Sequence, residues 1–496
     1  MAAMLVLLLQ ACELIDASKV ENPQITDDNL RTNAVGGATP VVTGLRRQMA
    51  VAIGQQALIG DLVSDNLDNR TSFYDVTLSN PRTIVPTTFT YDAAYNAMLQ
   101  MNAIADFGLS VIVPMDTKAT SDQIAEIRFY KGMALLLLGE NYRMFPVVEN
   151  AAAITATQAL QLAVTEFNTA LPLISAASNA TNNSMRANCQ LGLARTYRML
   201  GNKVSAAAAI TAFFAIPVAT TFDPTTYVFT AQFDAANGPT SNLRSALVSR
   251  SGNDIQPNPR LDFLDPKIIL GTTPTPVLKS EEAYLIQAEI ELSNGNLANA
   301  RTQMTSAVTR ALARGRTAFT DADIRFTRPN NNTVTAAIIA TMTVFSDSGR
   351  TYPAVAGLLA ARSGASVQVP TISWTSQTAT TIANLAAVAV GSGTVPNTLR
   401  FEHIRTLYLL RQEIFFGEGR RMTDLGMRMP VTQRQIDGNP SVAGTVATQV
   451  LVPAWIPPTD EYRFFSIVGT VVTMRWDMNK ELALNINSVS PFAPIP

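Results

Sequence analysis

Histidine, cysteine and charged side chains are all scarce in this chain of 496 residues. It has one histidine and two cysteines, and 15% of its residues are charged, compared with roughly 25% in an average soluble domain. These counts exclude a cysteine-rich zinc site, a histidine-based iron triad and an iron–sulfur cluster. A Ser-His-Asp or Cys-His catalytic system would need His403 as its base. His403 lies in a strongly helical run, so we predict that it is an ordinary helix residue.

The chain has 37 basic and 38 acidic residues, so its net charge is −1. A chain without a basic field attracts a phosphate backbone weakly, and we expect no nucleic-acid partner. The sequence contains neither the phosphate-binding glycine motifs of nucleotide-binding proteins nor the G-x-S-x-G motif of hydrolases. It therefore predicts no cofactor and a partner without strong charge.

The N-terminal segment is typical of a signal peptide that ends in a lipobox. An apolar run covers residues 4–9, and Ala11 then precedes Cys12 at the start of a polar stretch. Because the run is too short to span a bilayer, residues 1–11 are predicted to be a signal peptide and Cys12 to be the lipidated residue. Lipidation would anchor the mature protein to a membrane, outside the cytoplasm. The alternative is a buried N-terminal helix with an incidental cysteine. The second cysteine, Cys189, is predicted to be a small core residue.

Apolar residues recur with the 3.6-residue period of helices over about 40–215, 279–315 and 399–427. Two predicted helix pairs share a turn pattern, in which Gly201 stands five residues before Ala206 and Gly295 five residues before Ala300. Glycine permits the positive φ that ends the first helix, and alanine allows close packing of the second. The sequence therefore predicts a mainly α fold of about four imperfect tetratricopeptide-like helix pairs. The last helix is expected to run unbroken over 399–427.

Three stretches interrupt or follow this helical scaffold, at about 217–276, 319–396 and 430–496. They are rich in Pro, Thr, Asn and aromatic residues, and they include alternating apolar positions at Val367 and Val369 and a strand-like run over 467–474. Long irregular segments in a folded protein are commonly functional. We therefore expect these insertions to be ordered, to contain a few short strands and to contribute to function.

Five segments occur in an order that resembles one protein family. They are the lipobox with Asp16 and residues 22–23 (NP), then residues 125–132 (AEIRFYKG) leading to 146–148 (PVV), 284–289 (YLIQAE), 413–425 (EIFFGEGRRMTDL) and 451–457 (LVPAWIP). Together they span nearly the whole chain and resemble the SusD/RagB family. That resemblance implies a single SusD-like domain over residues 12–496, with a tetratricopeptide-like helical scaffold.

The resemblance also implies a function. SusD-like proteins are cell-surface lipoproteins of the outer membrane, without catalytic activity, that bind glycans and deliver them to a SusC-type TonB-dependent transporter. Within the fourth segment we predict that Arg421 and Asp424 pair on one helix face, and that Gly417 and Gly419 allow a neighbouring segment to approach closely. These residues are interpreted as framework.

Candidate ligand contacts follow from residue type and from their position relative to the family. Polar and aromatic side chains after the first long helix could contact a ligand, and two aromatic side chains of the second insertion could stack on it. The set is Asp65, Asn66, Asn69, Arg70 and Tyr74, together with Tyr352 and Trp374. Residues 65–70 could instead form a solvated helix end, and Trp374 could be a core residue.

Three alternatives remain open at the level of sequence. The scarcity of tryptophan would also suit a peptide or another polymer as ligand. A tetratricopeptide-like lipoprotein could instead be a scaffold with protein partners only, although a scaffold has no need of long insertions. Carboxylate pairs such as Glu281 with Glu282, and Asp321 with Asp323, do not converge on one helix face, so we expect no glycosidase.

Overall fold

The structure is a computed structural model. It describes residues 35–69, 76–148, 150–234, 238–239, 255–258, 261, 274–314, 316–320, 343–346, 362–363, 366–370, 398–468, 471–474 and 476–495.

Helices dominate the described residues, as predicted. The α-helices are α1 (Ala38–Leu62), α2 (Asp92–Phe107), α3 (Ser121–Asn141), α4 (Ala156–Ala170), α5 (Ala180–Met199), α6 (Lys203–Phe214), α7 (Ser280–Ser293), α8 (Leu297–Ala313), α9 (Thr398–Ile414), α10 (Arg421–Asp424), α11 (Gln433–Gly438), α12 (Met478–Leu484) and α13 (Ile486–Val489). A π turn (Gly108–Ile112) and one further α turn (Val113–Met115) extend α2. Thr120 and Thr155 form capping boxes with Gln123 and Gln158, which explains where α3 and α4 begin.

The first eight helices stack as consecutive pairs, with α1 against α2, α3 against α4, α5 against α6 and α7 against α8. The first members of these pairs also contact one another in order, from α1 through α3 and α5 to α7. Gly201 and Gly295 have positive φ at the two predicted turns, and Ala206 and Ala300 are fully buried. The tetratricopeptide-like arrangement predicted from the two glycine turns is therefore confirmed.

The continuous helix predicted over 399–427 is wrong. Helix α9 ends at Ile414, and residues 415–420 form turns before the short helix α10. Gly417 and Gly419 both have positive φ, which ends the helix. The predicted close approach is confirmed for Gly419, since a Cβ atom there would lie 2.5 Å from the carbonyl oxygen of Gln56 in α1.

The residues of α2 and its extension, Asp92–Met115, form a helix that is long and apolar enough to cross a membrane, judged by length and composition alone. Its side chains Tyr95, Met98 and Met101 are fully buried, and α2 contacts both α1 and α3. Such contacts are typical of an inner helix of a folded domain.

Short strands form small sheets around the helices. They are β1 (Leu67–Asn69), β2 (Met144–Phe145), β3 (Ile154–Thr155), β4 (Val228–Ala231), β5 (Ile255–Pro257), β6 (Thr275–Lys279), β7 (Arg316–Thr320), β8 (Thr343–Ser346), β9 (Arg362–Ser363), β10 (Ser366–Pro370), β11 (Phe465–Val468) and β12 (Val471–Met474). The pairs β1–β5, β2–β3 and β4–β6 are antiparallel, and the two larger sheets have the orders β7–β10–β9 and β11–β12–β8. The strand-like run at 467–474 is thus the β11–β12 hairpin, and the alternating pair Val367 and Val369 lies in β10.

The C-terminal insertion is less irregular than its composition indicates, because it contains α11, α12 and α13. Helix α12 packs against α9, which joins the end of the chain to the helical core. The core itself is continuous through the helices, and Cys189 and His403 are both fully buried within it. Both residues therefore have the structural positions predicted for them.

Candidate functional site

A cavity of about 560 Å³ opens between the helices and the segment that follows α6. Its walls come from α1, α3 and α5, the first members of three successive helix pairs, and from residues 221–232. Most of the lining side chains are hydroxylic, amidic or aromatic. They are Arg46, Met49, Glu126, Tyr130, Thr181, Ser184, Met185, Asn188, Thr221, Asp223, Thr226, Tyr227, Val228, Phe229, Thr230, Ala231 and Gln232.

One charged pair stands at the rim of this cavity. The Arg46 guanidinium donates from Nε to Glu126 Oε1 at 2.7 Å and from Nη2 to Glu126 Oε2 at 2.8 Å. The Arg46 side chain is 61% exposed, whereas that of Glu126 is 13% exposed. The hydrogen bond with Glu126 raises the pKa of Arg46, and the Tyr130 hydroxyl also lies beside the guanidinium. Arginine therefore faces the solvent, with its donors turned inward to the cavity wall.

Aromatic rings and neutral hydrogen-bonding groups form the wall behind that pair. The Tyr227 hydroxyl donates to Asn188 Oδ1 at 2.7 Å and lies 3.1 Å from the carbonyl oxygen of Ser184. Phe229 packs edge-on against Phe129 with a centroid distance of 5.4 Å. A wall that alternates ring faces with hydroxyl and amide groups can bind a polyhydroxylated ligand through both.

Strand β4 and the residues on either side of it also border the cavity. Successive side chains of a strand point to opposite faces, so a cavity against one face would be lined by alternate residues. Here all seven consecutive residues from 226 to 232 line it. Strand β4 pairs with β6, and in the described sheet it has no second neighbour. Backbone groups of β4 therefore border the cavity together with side chains.

The predicted ligand residues Asp65 and Asn66 lie elsewhere, just beyond the end of α1. Asp65 is 9% exposed and accepts hydrogen bonds from Arg421 at 2.5 and 2.9 Å and from Gln412 at 2.9 Å. Asn66 is buried, donates to Asp61 Oδ1 at 3.0 Å and accepts from Gln412 Nε2 at 3.0 Å. A solvated helix end is therefore wrong for these two residues. Their ligand contacts stay a prediction, although burial and pairing favour a framework role.

The other predicted contacts give less information. Asn69 is the last residue of β1, where its backbone pairs with Ile255 of β5. Arg70, Tyr74, Tyr352 and Trp374 lie outside the described residues, as do Cys12 and the carboxylates Asp321 and Asp323.

The predicted ion pair between Arg421 and Asp424 is wrong. Arg421 instead binds Asp65 and donates to Asn479 Oδ1 at 2.9 Å. Asp424 accepts three hydrogen bonds from Arg411 at 2.8 to 3.0 Å, and Arg198 lies 3.6 Å away. Burial alone would raise the pKa of Asp424, but Arg411 and Arg198 together lower it. The framework interpretation of this segment is thus correct, but the partners are distant in sequence.

Further buried carboxylates extend this network. Glu289 accepts from Arg198, from Tyr408 at 2.8 Å and from Ser490 at 2.8 Å. Glu281 pairs with Arg314, and its neighbour Glu282 pairs with Arg420. The two adjacent glutamates thus bind different arginines and do not converge on a common point, as predicted. In the part of the chain that the structure describes, no group of three or more His, Cys, Asp or Glu residues could hold a metal ion.

Neither a protein-family profile nor a curated protein sequence matches the chain. Several solved structures of other proteins do match it. A crystal structure of a SusD superfamily protein from Bacteroides vulgatus is similar with a TM-score of 0.50 and 11% sequence identity, over 83% of this chain and 98% of the other. A second SusD superfamily structure from Bacteroides vulgatus has a TM-score of 0.50 and 13% identity, over 82% and 97% of the two chains.

The chain has the SusD fold. Within the SusD fold, the segments that carry the sequence resemblance lie on the helical scaffold. Residues 125–132 belong to α3, residues 284–289 to α7, and residues 413–425 cover the end of α9 and all of α10. Their charged side chains bind partners on other helices, as Arg128 does with Glu166 of α4. These motifs therefore mark the scaffold, and one of their members, Glu126, also lines the cavity.

Sequence reasoning missed the cavity of this SusD-type scaffold. Its walls come from four segments that lie far apart in the chain, and no motif connects them. One signal was present, because the first insertion is rich in aromatic residues and includes Tyr227 and Phe229. Nothing in the sequence pairs that insertion with Arg46 or Glu126.

Proposed function

We propose that this protein binds glycans without cleaving them and that the cavity between α1, α3, α5 and residues 221–232 is a binding site for oligosaccharides. The observation that carries the proposal is the composition of this cavity on a SusD-type scaffold. Tyr227 and Phe229 are half-buried and offer aromatic surface, and the Ser, Thr, Asn and Gln side chains around them offer partners for hydroxyl groups. Residues 12–496 would act as one SusD-like unit.

The charges of the cavity support binding rather than hydrolysis. A glycosidase needs two carboxyl groups on opposite sides of the scissile bond, one of them protonated. The acidic residues among the described lining are Glu126 and Asp223. Both oxygens of Glu126 accept from Arg46, and Asp223 Oδ1 accepts from the backbone of Thr225 at 2.8 Å. The arginine that holds Glu126 favours its charged form, so this carboxylate is a poor candidate for the protonated acid.

Delivery to a transporter is the second part of the proposal. Lipidation of Cys12 would anchor the protein to the outer membrane at the cell surface, where it would pass glycans to a SusC-type TonB-dependent transporter. The apolar run and Ala11 before Cys12 support this, together with the SusD fold. Mass spectrometry of the membrane fraction would detect a diacylglyceryl group on Cys12. The Cys12→Ser variant should appear in the soluble fraction.

The residues predicted from the sequence could complete the glycan site. Asp65, Asn66, Asn69, Arg70, Tyr74, Tyr352 and Trp374 remain predicted contacts. Changing Tyr74 or Trp374 to alanine should weaken glycan binding if these residues extend the site, and should leave it unchanged if the cavity suffices.

The test of function is a calorimetric titration of the full Cys12→Ser chain with neutral and acidic oligosaccharides and with peptides, followed by product analysis of each mixture. Glycan binding without cleavage supports the proposal. Cleavage products would establish an enzyme, and binding to no member of either panel would favour a scaffold with protein partners only.

A peptide ligand is the second candidate function, and the edge of β4 favours it. An extended peptide can add to an open strand edge through backbone hydrogen bonds, and residues 226–232 border the cavity along their whole length. Binding of peptides without binding of glycans in the same titrations would establish this alternative.

A further inference from the structure

The cavity holds few charged side chains, and their arrangement is specific. Arg46 is the basic member of the described lining, and Glu126 and Asp223 are the acidic members. One positive and two negative groups give this lining a net charge of −1. Aromatic, neutral polar and aliphatic side chains make up the rest. An anionic ligand would thus enter a site that already carries a small excess of negative charge.

Arg46 is the group that could recognise an anionic sugar, because a guanidinium binds carboxylate or sulfate through two parallel hydrogen bonds. Arg46 already donates from Nε and from Nη2 to Glu126, at 2.7 and 2.8 Å. A guanidinium has further N–H donors, so a ligand carboxylate would have to bind beside Glu126 or displace it. In either case the Glu126 carboxylate, whose side chain is only 13% exposed, would remain in the cavity wall beside the charge of the ligand, and like charges at such a distance repel.

Neutral sugars meet no such obstacle. Hydroxyl groups can hydrogen-bond to the Thr, Ser, Asn and Gln side chains of the wall without breaking the pair of Arg46 and Glu126. The exposed Arg46 side chain can also contact a neutral ring while its donors stay bound to Glu126.

Resting on the proposed function, we infer that the cavity takes uncharged saccharides and that Glu126, by neutralising Arg46, disfavours saccharides that carry carboxylate or sulfate groups. Glu126 is thus a specificity-determining residue. Removing its charge should free the guanidinium for an acidic ligand.

The test uses a matched pair of ligands, namely the best neutral oligosaccharide from the panel and the same oligosaccharide oxidised to uronate at C6. Calorimetry of the full Cys12→Ser chain at low ionic strength should give at least about tenfold weaker binding of the uronate form. The Glu126→Gln variant should bind the uronate form about tenfold more tightly than the unsubstituted chain does, and its preference for the neutral form should fall accordingly. Salt at 0.5 M should reduce the discrimination, because these charges are partly exposed.

Two further variants control for charge. Asp437→Asn removes a carboxylate from α11, outside the cavity, where Asp437 accepts a hydrogen bond from Gln433 at 2.8 Å. This change should alter neither the affinity for the neutral form nor the affinity for the uronate form. Arg46→Gln removes the cation, so it should not gain affinity for the uronate form. Thermal unfolding of each variant establishes that the fold is intact.

The outcomes separate this inference from the proposed function. Tighter binding of the uronate form by the unsubstituted chain, or an unchanged preference in Glu126→Gln, would overturn the role of Glu126 while glycan binding stands. Failure to bind any glycan would overturn both. A gain of uronate binding in Asp437→Asn equal to that in Glu126→Gln would show a general charge effect and would also overturn the inference.

Discussion

Two regions of this molecule place arginine beside carboxylate, and they differ in exposure. In the region where α9 and α10 meet α1, α5 and α7, the pairs of Arg421 with Asp65 and of Arg411 with Asp424 are buried on both sides. At the cavity rim, Arg46 is largely exposed although its two hydrogen bonds to Glu126 are equally short. The distances therefore do not distinguish the buried pairs from the pair at the cavity rim. The degree of burial does.

The difference follows from the cost of desolvation. A charge that is removed from water must keep its partner, because loss of the partner leaves a buried charge without compensation. At the rim Arg46 is solvated whether or not it is paired, so separating it from Glu126 costs less. The buried network fixes the scaffold, and the rim pair can tune what the cavity accepts.

The largest effect should come from breaking the buried network. Asp424→Asn removes the charge that compensates Arg411, and we expect it to lower the free energy of unfolding by about 3–5 kcal/mol. Urea denaturation measures this. In a double-mutant cycle, Arg411→Met combined with Asp424→Leu should cost less than the sum of the two single changes. A cost below about 1 kcal/mol for Asp424→Asn would contradict the structural role of the pair.

The contact between α1 and the turn before α10 should be nearly as sensitive. A Cβ atom on Gly60 would lie 2.5 Å from the carbonyl oxygen of Gly419, so Gly60→Ala should cost about 1–3 kcal/mol of unfolding free energy. Gly44 of the same helix has no atom within 4 Å of the equivalent position. Gly44→Ala should therefore stabilise the protein by up to about 1 kcal/mol, through helix propensity. Equal effects of the two changes would show that the close approach is absent.

The pH dependence of stability should reveal the burial of Glu282. Burial raises its pKa to about 7 from an ordinary 4.5, although Arg195 and Arg411 oppose the shift. Between pH 5 and 7 the folded state then holds a proton that the unfolded state has lost, so the free energy of unfolding falls as pH rises. The Glu282→Gln variant should lack this slope. Denaturant titrations at pH 5, 6, 7 and 8 measure it, and parallel curves for the two proteins would contradict the shift.

The smallest effect on stability is expected at the cavity rim. Arg46→Gln breaks an exposed pair and should change the free energy of unfolding by no more than about 1 kcal/mol. Urea denaturation of Arg46→Gln and of Asp424→Asn under the same conditions compares the two regions directly. A loss as large as that of Asp424→Asn would show that the rim pair is structural too.

Local patterns in the sequence predicted much of the scaffold. The glycine and alanine spacings at Gly201 and Gly295 determine helix hairpins through contacts within a few residues. The break after Ile414 was missed because Gly417 and Gly419 are also compatible with a helical context, and their positive φ depends on α1, far away in sequence. Arg421 was paired with its neighbour Asp424 for the same reason, whereas its partner Asp65 lies 356 residues away.

The cavity could not be predicted because it depends on tertiary contacts among four segments. Residue type indicated aromatic and polar groups in the insertion that contains Tyr227, but only the packing of β4 against α1 brings them opposite Arg46 and Glu126. Exposure also had to come from the structure, since Asp65 and Arg46 are both charged residues in or just beyond α1, yet Asp65 is buried and Arg46 is exposed.

The central claim is that the cavity binds the ligand, and blocking it is the most direct test. Thr230→Trp places a large ring on the cavity wall, and Val468→Trp places the same ring on a strand position that is 78% exposed and outside the cavity. Calorimetry with the best neutral oligosaccharide should show at least about a tenfold loss of affinity for Thr230→Trp and no change for Val468→Trp. Unchanged affinity in a folded Thr230→Trp variant would contradict the claim and would shift the search for the ligand site to the other predicted contacts, such as Tyr74 and Trp374.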